Sequence, residues 1–311
     1  MTTHDKRIIA VVGPTASGKS SLGIELAIRL GGEIINCDSV QVYRDIEIAT
    51  AKVPFEERFG IPHHLMDFVP PEATYTAGNW AVDSLQKIRE IESRGRTAII
   101  VGGTGFYLRA LRNPFFPSPR TDTRLRDRIT QLREKRGALH IHRLLQKLDP
   151  EAGTRLYPAD WPRVQRALEV RLQTGKPIST QLSNRVDPPP EASRLMVIGL
   201  SPPRKELYEL INRRAQAHFE AGLVNEVRWL LERGIPADSN SLGAHGYRRV
   251  VEYVQGKRTL ESAVEQTKQD VRNYAKRQIT WFKREPGLAW FEGFGTDSSV
   301  LQCILEYLNI K

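Results

Sequence analysis

The sequence predicts an α/β fold, a P-loop-containing parallel sheet with flanking helices and an inserted all-helical domain. Three observations predict it. GPTASGKS, Gly13 to Ser20, fits the phosphate-cradling pattern G-x-x-x-x-G-K-[ST] between the apolar run Ile8 to Val12 and the amphipathic stretch Ser20 to Leu30. Further short apolar runs, Glu33 to Cys37, Ala98 to Val101 and Leu195 to Leu200, have the length and composition of buried strands. Between the last two lies a basic, helix-patterned stretch bracketed by the proline clusters Asn113 to Pro119 and Asp187 to Pro190.

The loop comes first in the chain. Gly13 and Gly18 let the backbone curl so that the amides of Thr15, Ala16, Ser17, Gly18, Lys19 and Ser20 point inward. The helix N-terminus adds partial positive charge and Lys19 a mobile cation. Ser20 is placed to reach a magnesium ion, so Mg2+ is the expected cofactor. The pattern predicts a bound di- or triphosphate.

After the second strand stands Asp38, at a carboxyl end where open α/β sheets place their ligands. It reads either as an acid facing the phosphates or as a turn residue in Asp38-Ser39. The strand at Ala98 to Val101 runs into Gly102-Gly103-Thr104-Gly105, without the metal-directed acid of an ATPase or GTPase. Those glycines lack the third glycine and distant acid of a dinucleotide fingerprint.

The stretch Thr121 to Arg185 reads as helices over Arg124 to Arg136, Leu139 to Leu148 and Arg163 to Gln173. It carries 14 Lys and Arg against 7 Asp and Glu, so +7 of the chain's +10 falls there. A globally basic protein, pI near 9.7, suggests a polyanion partner, although a solvated face of arginines is also a common reason for such a run. We therefore expect residues 1–120 and 191–311 to form a discontinuous core around an inserted domain, 121–190. After the second break, Pro203 to Glu220 and Leu260 to Glu285 read as helices. In the latter, Arg272, Lys276 and Lys283 share a basic face, joined by Arg248 and Arg249, and Val264, Val271, Tyr274 and Trp281 an apolar stripe read as core.

Composition excludes several classes. With 311 residues, 40% hydrophobic and 26% charged, the chain is of ordinary globular type with room for two domains. No run approaches the roughly 18 apolar residues of a membrane span and Met1 to Arg7 has no signal-peptide core, so a cytoplasmic protein is expected. Cys37 and Cys303 form no C-x-x-C, and neither His63-His64 nor His140 with His142 has companions at metal spacing.

GPTASGKS with CDSVQVYRDIEIATAKVP (37–54), IPHHLMDF (61–68), VGGTGFYLRAL (101–111), RVQRALEV (163–170) and AKRQITWF (275–282) resembles the tRNA dimethylallyltransferase family over nearly the whole chain. The resemblance implies transfer of a dimethylallyl group from dimethylallyl diphosphate to the exocyclic amine of the adenosine just 3′ of the tRNA anticodon. It implies Asp38 as base, Thr104 as the contact to the target adenine and Arg214 on the diphosphate. It also implies an anticodon-loop surface of Asp38, Ser39, Val40, Gln41, Thr104, Arg163, Val164, Gln165, Arg166, Gly243, His245, Gly246, Tyr247, Lys276, Arg277 and Gln278. The chain departs from the usual family form at Trp161-Pro162 and at His245. A monomer acting without a membrane is expected. Competing readings are a P-loop kinase acting on a nucleoside or small alcohol, an adenylate isopentenyltransferase, and a non-catalytic RNA-binding protein with a vestigial loop. The kinase leaves the basic insertion unexplained, whereas the RNA-binding protein leaves the intact loop and Asp38 unexplained.

Overall fold

A computed structural model describes residues 7–116, 119–183 and 186–310, with the side chains of Leu182 and Ser183 excepted. In chain order the elements are β1 (Ile8–Val12), α1 (Lys19–Leu30), β2 (Gly32–Asn36), β3 (His63–His64), α2 (Ala77–Ser93), β4 (Thr97–Val101) and α3 (Gly105–Arg112). There follow α4 (Thr123–Arg136), α5 (Ala138–Leu148), α6 (Pro150–Arg155), α7 (Trp161–Thr174), α8 (Ile178–Ser183) and α9 (Pro190–Ser193). The chain continues with β5 (Leu195–Ser201), α10 (Arg204–Glu220), α11 (Leu223–Glu232), α12 (Tyr247–Val254), α13 (Leu260–Phe282), β6 (Leu288–Glu292) and α14 (Ser298–Tyr307). The chain divides into two compact units, one of residues 1–112 with 189–311 and the other of residues 113–188.

The first unit is built on a six-stranded sheet of order β3-β2-β4-β1-β5-β6 with every pair parallel. Strands buried on both faces must be apolar throughout, and β1 and β2 are buried along their whole length. Side chains alternate between the faces: Ile8, Ala10 and Val12 pack with α2 and α3, whereas Ile9 and Val11 pack with α1 and α14. A third cluster joins the 42–46 segment to α11 and α12 through Val42, Tyr43, Leu223, Val227 and Tyr247. Ladder bonds run past the strand ends, from Cys37 N–H to the Val101 carbonyl and from Gly102 N–H to the Val11 carbonyl. They hold the carboxyl ends of the adjacent strands β2, β4 and β1 side by side.

The second unit folds around Ile129, Ile141, Leu145, Val164, Ala167 and Leu168. Its two fully buried acids are satisfied internally: Glu169 pairs with Arg126 and Arg166, and Asp149 accepts from the amides of Ala152 and Ser179 and from the Ser179 hydroxyl. Pro162 stands in the first turn of α7, where the missing N–H costs no bond. Arg124, Arg128, Lys135, Arg136, Arg143 and Lys147 are all exposed.

Two expectations shift. The long helix ends at Phe282, not Glu285, and its buried face is Ala263, Thr267, Ala275, Gln278 and Phe282. Val264, Val271, Tyr274 and Trp281 are only half-buried: Trp281 packs on the cluster of α2 and α3 and Val271 on Leu207 and Ile211, while Val271 and Tyr274 also line a cavity. The helical unit spans 113–188, against the expected 121–190.

Candidate active site

A cavity of about 1460 Å³ opens at the carboxyl edge of the sheet, within the first unit. Small-molecule pockets run roughly 300–1,000 Å³, so this one has room for more than a diphosphate ester. Thr15, Ala16, Ser17, Gly18, Lys19 and Ser20 line it, with Asp38, Ser39, Val40 and Gln41 after β2, Gly102 and Gly103 after β4, and Arg214 on α10. Gly243, Ala244 and His245, ahead of α12, line it as well.

The phosphate loop is built as its sequence requires. Gly13 has φ +145° and a Cβ there would meet the Leu200 carbonyl at 2.9 Å, so β5 excludes any side chain. Gly18 has φ +82°, and its absent Cβ leaves space for Gly295, whose amide donates to the Ser17 carbonyl at 2.8 Å. The buried Ser17 hydroxyl has no hydrogen-bond partner among the described residues. Lys19 Nζ donates to the Pro14 carbonyl at 2.6 Å. Burial pushes the Lys19 ammonium down to about 8; the charge of Asp38 opposes that shift and Arg214 reinforces it. Arg214 is likewise lowered by burial against the pull of Asp38. These three charges therefore share one low-dielectric space.

Asp38 turns out to be both a turn residue and a cavity residue. Its Oδ1 accepts from the amides of Val40 (2.8 Å) and Gln41 (3.3 Å), a local turn that fixes the carboxylate and leaves Oδ2 available. The Thr104 hydroxyl accepts from the Ser39 amide at 3.1 Å and faces the Tyr274 hydroxyl. Gln41 donates through Nε2 to the carbonyls of Thr50 and Ala51, which braces the loop that Lys52 ties to Tyr43, Glu47 and Asp67.

Ser20 lines the cavity at the start of α1 and makes no side-chain hydrogen bond among the described residues. No group of three His, Cys, Asp or Glu side chains is disposed to hold a metal among the described residues. This donor set fits a magnesium ion carried mainly by the oxygens of a diphosphate, with Ser20 as its protein ligand.

The remaining predicted residues separate by burial. Lys276 and Arg277 are exposed, with Arg277 over the Tyr274 ring at 5.8 Å. Tyr247 is fully buried and donates to Glu226, and Gln278 is 5% exposed. Gly246 packs near Ala49 and Thr267. Arg249 is engaged by Asp270 and Glu252, and Arg272 donates to Asn212 and Gln269. Within the helical unit Arg163 is exposed beside Asp160, Val164 and Gln165 are buried, and Arg166 donates to the Pro119 carbonyl. Tyr274, read from sequence as core, and His218, not singled out at all, are among the further cavity residues. Tyr274 stands one turn before Gln278, and His218, one turn after Arg214, is pushed down to about 4 by burial and by Arg214. Their helical spacing from already suspected residues was the available signal.

A phosphate-loop motif, a fixed carboxylate and a buried cation meet in one cavity of a P-loop α/β fold. The chain belongs to the IPP transferase family, which matches residues 41–285, with an isopentenyl transferase match over residues 6–61. A protein from Koribacter versatilis (strain Ellin345) named tRNA dimethylallyltransferase is 45% identical, the match covering 96% of each chain. Another so named, from Solibacter usitatus (strain Ellin6076), is 44% identical over 96% of this chain and 97% of its own. The crystal structure of a tRNA isopentenylpyrophosphate transferase from Bacillus halodurans superimposes with TM-score 0.72 at 36% identity, covering 98% of this chain and 96% of that one. A eukaryotic dimethylallyltransferase acting on tRNA superimposes with TM-score 0.80 at 30% identity, covering 98% of this chain and 79% of that one.

Proposed function

We propose that this enzyme transfers the dimethylallyl group of dimethylallyl diphosphate to the exocyclic amine of the adenosine 3′-adjacent to a tRNA anticodon, releasing diphosphate. The observation that carries the reading is the delivery of phosphate loop, Asp38 and Thr104 by the ends of three adjacent strands, β1, β2 and β4.

The bond from the allylic carbon to the diphosphate oxygen breaks with its electrons leaving on the diphosphate, and the amine lone pair forms the new carbon–nitrogen bond. The loop amides, Lys19 and Arg214 meet the charge that grows on the departing diphosphate, in a site where burial magnifies their effect. Magnesium held at Ser20 would neutralise part of that charge. The amine proton becomes acidic as the bond forms, and Asp38 accepts it through Oδ2 while the Val40 and Gln41 amides hold Oδ1 still. Thr104, fixed by the Ser39 amide, orients the adenine. A base in a loop must leave its stack to enter such a cavity, and single-stranded loop bases are the ones that can.

In this reading the exposed cations of the 113–188 unit contact the tRNA, and so do Lys276 and Arg277 of the first unit. We place the enzyme in the cytoplasm, where a tRNA substrate would meet it, and as a monomer. Incubation with labelled dimethylallyl diphosphate and tRNA tests the reading, with ATP hydrolysis and binding without turnover as the rival outcomes. Asp38→Ala is expected to lower the single-turnover rate by about 10²-fold or more while diphosphate and tRNA affinities stay within a few-fold. A near-normal rate in that variant removes Asp38 from the base role.

A further inference from the structure

Gln278 belongs to the stretch that sequence places on the RNA surface, yet its side chain points the other way. It is 5% exposed, its Oε1 accepts from the Thr15 amide at 2.7 Å, and its Nε2 donates to the Gly103 carbonyl at 3.0 Å. The approach is close enough to require the glycine: a Cβ at Gly103 would lie 2.0 Å from Nε2.

Both bonds land on the reaction machinery. The amide taken by Gln278 belongs to the Pro14–Thr15 peptide, whose carbonyl, on the opposite edge of the same plane, accepts from Lys19 Nζ. Gly103 precedes Thr104. Gln278 is itself held firmly, since Ala275 and Phe282 on the same helix face are buried among core side chains.

We propose that Gln278 is a positioning residue that sets the distance between the two reactants, acting through the Pro14–Thr15 peptide on Lys19 and through Gly103 on Thr104. The inference rests on the reading of the cavity given above. One side chain ties the loop that grips the leaving group to the loop that orients the acceptor. Its role is distinct from RNA contact, because neither of its polar ends faces outward. Reaction geometry of this kind is sensitive to displacements of about 1 Å, so losing either bond is felt in the rate more than in stability.

The test uses the full chain as wild type, Gln278→Leu and Gln278→Glu, with a thermal melt of each. Binding of inorganic diphosphate with magnesium is measured by calorimetry, transfer by single turnover, and tRNA affinity at fixed salt. Gln278→Leu is expected to lose about tenfold in diphosphate affinity and roughly 10- to 100-fold in transfer, with tRNA affinity within about twofold. Gln278→Glu keeps the acceptor for Thr15 but, when ionised, cannot donate to Gly103; its rate relative to wild type at the same pH should climb as pH falls and the carboxyl gains a proton. Unchanged diphosphate affinity and turnover in Gln278→Leu would overturn the proposal, and so would a tRNA loss as large as the diphosphate loss. If Gln278→Leu melts before assay, the glutamate ratio decides, and a flat ratio overturns it. Wild-type protein that fails to bind diphosphate overturns the reading of the loop and this inference with it, whereas a normal wild type beside an unaffected leucine variant overturns the inference alone.

Discussion

The two units of this protein use positive charge in opposite ways. In the first, Lys19 and Arg214 turn inward to a cavity where burial lowers both. In the second, the acids are what turn inward: Glu169 and Asp149 are fully buried and internally bonded, while Arg124, Arg128, Lys135 and Arg136 face solvent. The exposed cations thus carry the +7 excess of residues 121–185 on the surface of the helical unit. Buried cations discriminate and resist screening, whereas exposed ones attract a polyanion at a distance and are screened by salt.

The largest effect that could break this contrast comes from Lys19→Ala. Removing the buried cation should weaken diphosphate and reduce transfer by about 10²- to 10³-fold, with tRNA affinity and its salt dependence unchanged. A parallel loss of tRNA binding would show that the inward cation serves the RNA as well.

A pH titration sharpens the same point. Lys19 carries its charge in the free enzyme below about 8 and loses it above, while bound diphosphate favours the charged form. Diphosphate affinity should therefore fall as pH rises past about 8, by up to about tenfold per unit. Lys19→Arg, which stays protonated, should flatten that fall, as calorimetry from neutral to alkaline pH would reveal.

The smallest expected effect lies on the outer surface. Replacing Arg124, Arg128 and Arg136 by Gln together should leave diphosphate binding and single-turnover rate at saturating tRNA intact. The slope of log K for tRNA against log salt should drop by roughly 0.7 to 0.9 for each RNA phosphate that these side chains neutralise in the wild type. An identical slope would make these arginines a solvated face with no partner.

Sequence reading reaches the first unit's site more fully than its scaffold. Strands β1, β2, β4 and β5 are legible because both-face burial demands unbroken apolar runs, and the phosphate loop because its glycines answer to backbone geometry. Helices such as α2, α11 and α14 do carry apolar residues at helical spacing, Leu223, Val227 and Leu230 on α11 among them, which the reading by apolar runs passes over, whereas β3 is two residues long and β6 is half-buried. On α13 the apolar stripe marks only part of the packed surface: Trp281 and Val271 lie against core clusters but stay half-buried. The fully buried face carries Ala263, Thr267, Ala275, Gln278 and Phe282, of which Thr267 and Gln278 are polar and hydrogen-bonded, and a count of apolar periodicity does not find those two. Val164, Gln165 and Tyr247 show the same limit from the other side: a motif match places a residue near a function without saying which way its side chain turns.

The sheet order carries a consequence for synthesis. Strand β1 occupies the centre, yet Ile9 pairs with Ile99 on one side and Met196 on the other, partners that leave the ribosome long after it. The helical unit is translated between those two partners, and its core of Ile129, Ile141, Leu145, Val164 and Leu168 draws on residues near one another in the chain, so it can close while β5 and β6 are still unmade. Until β5 arrives, β1 presents an open apolar edge, and the nascent chain depends on that wait being short or sheltered.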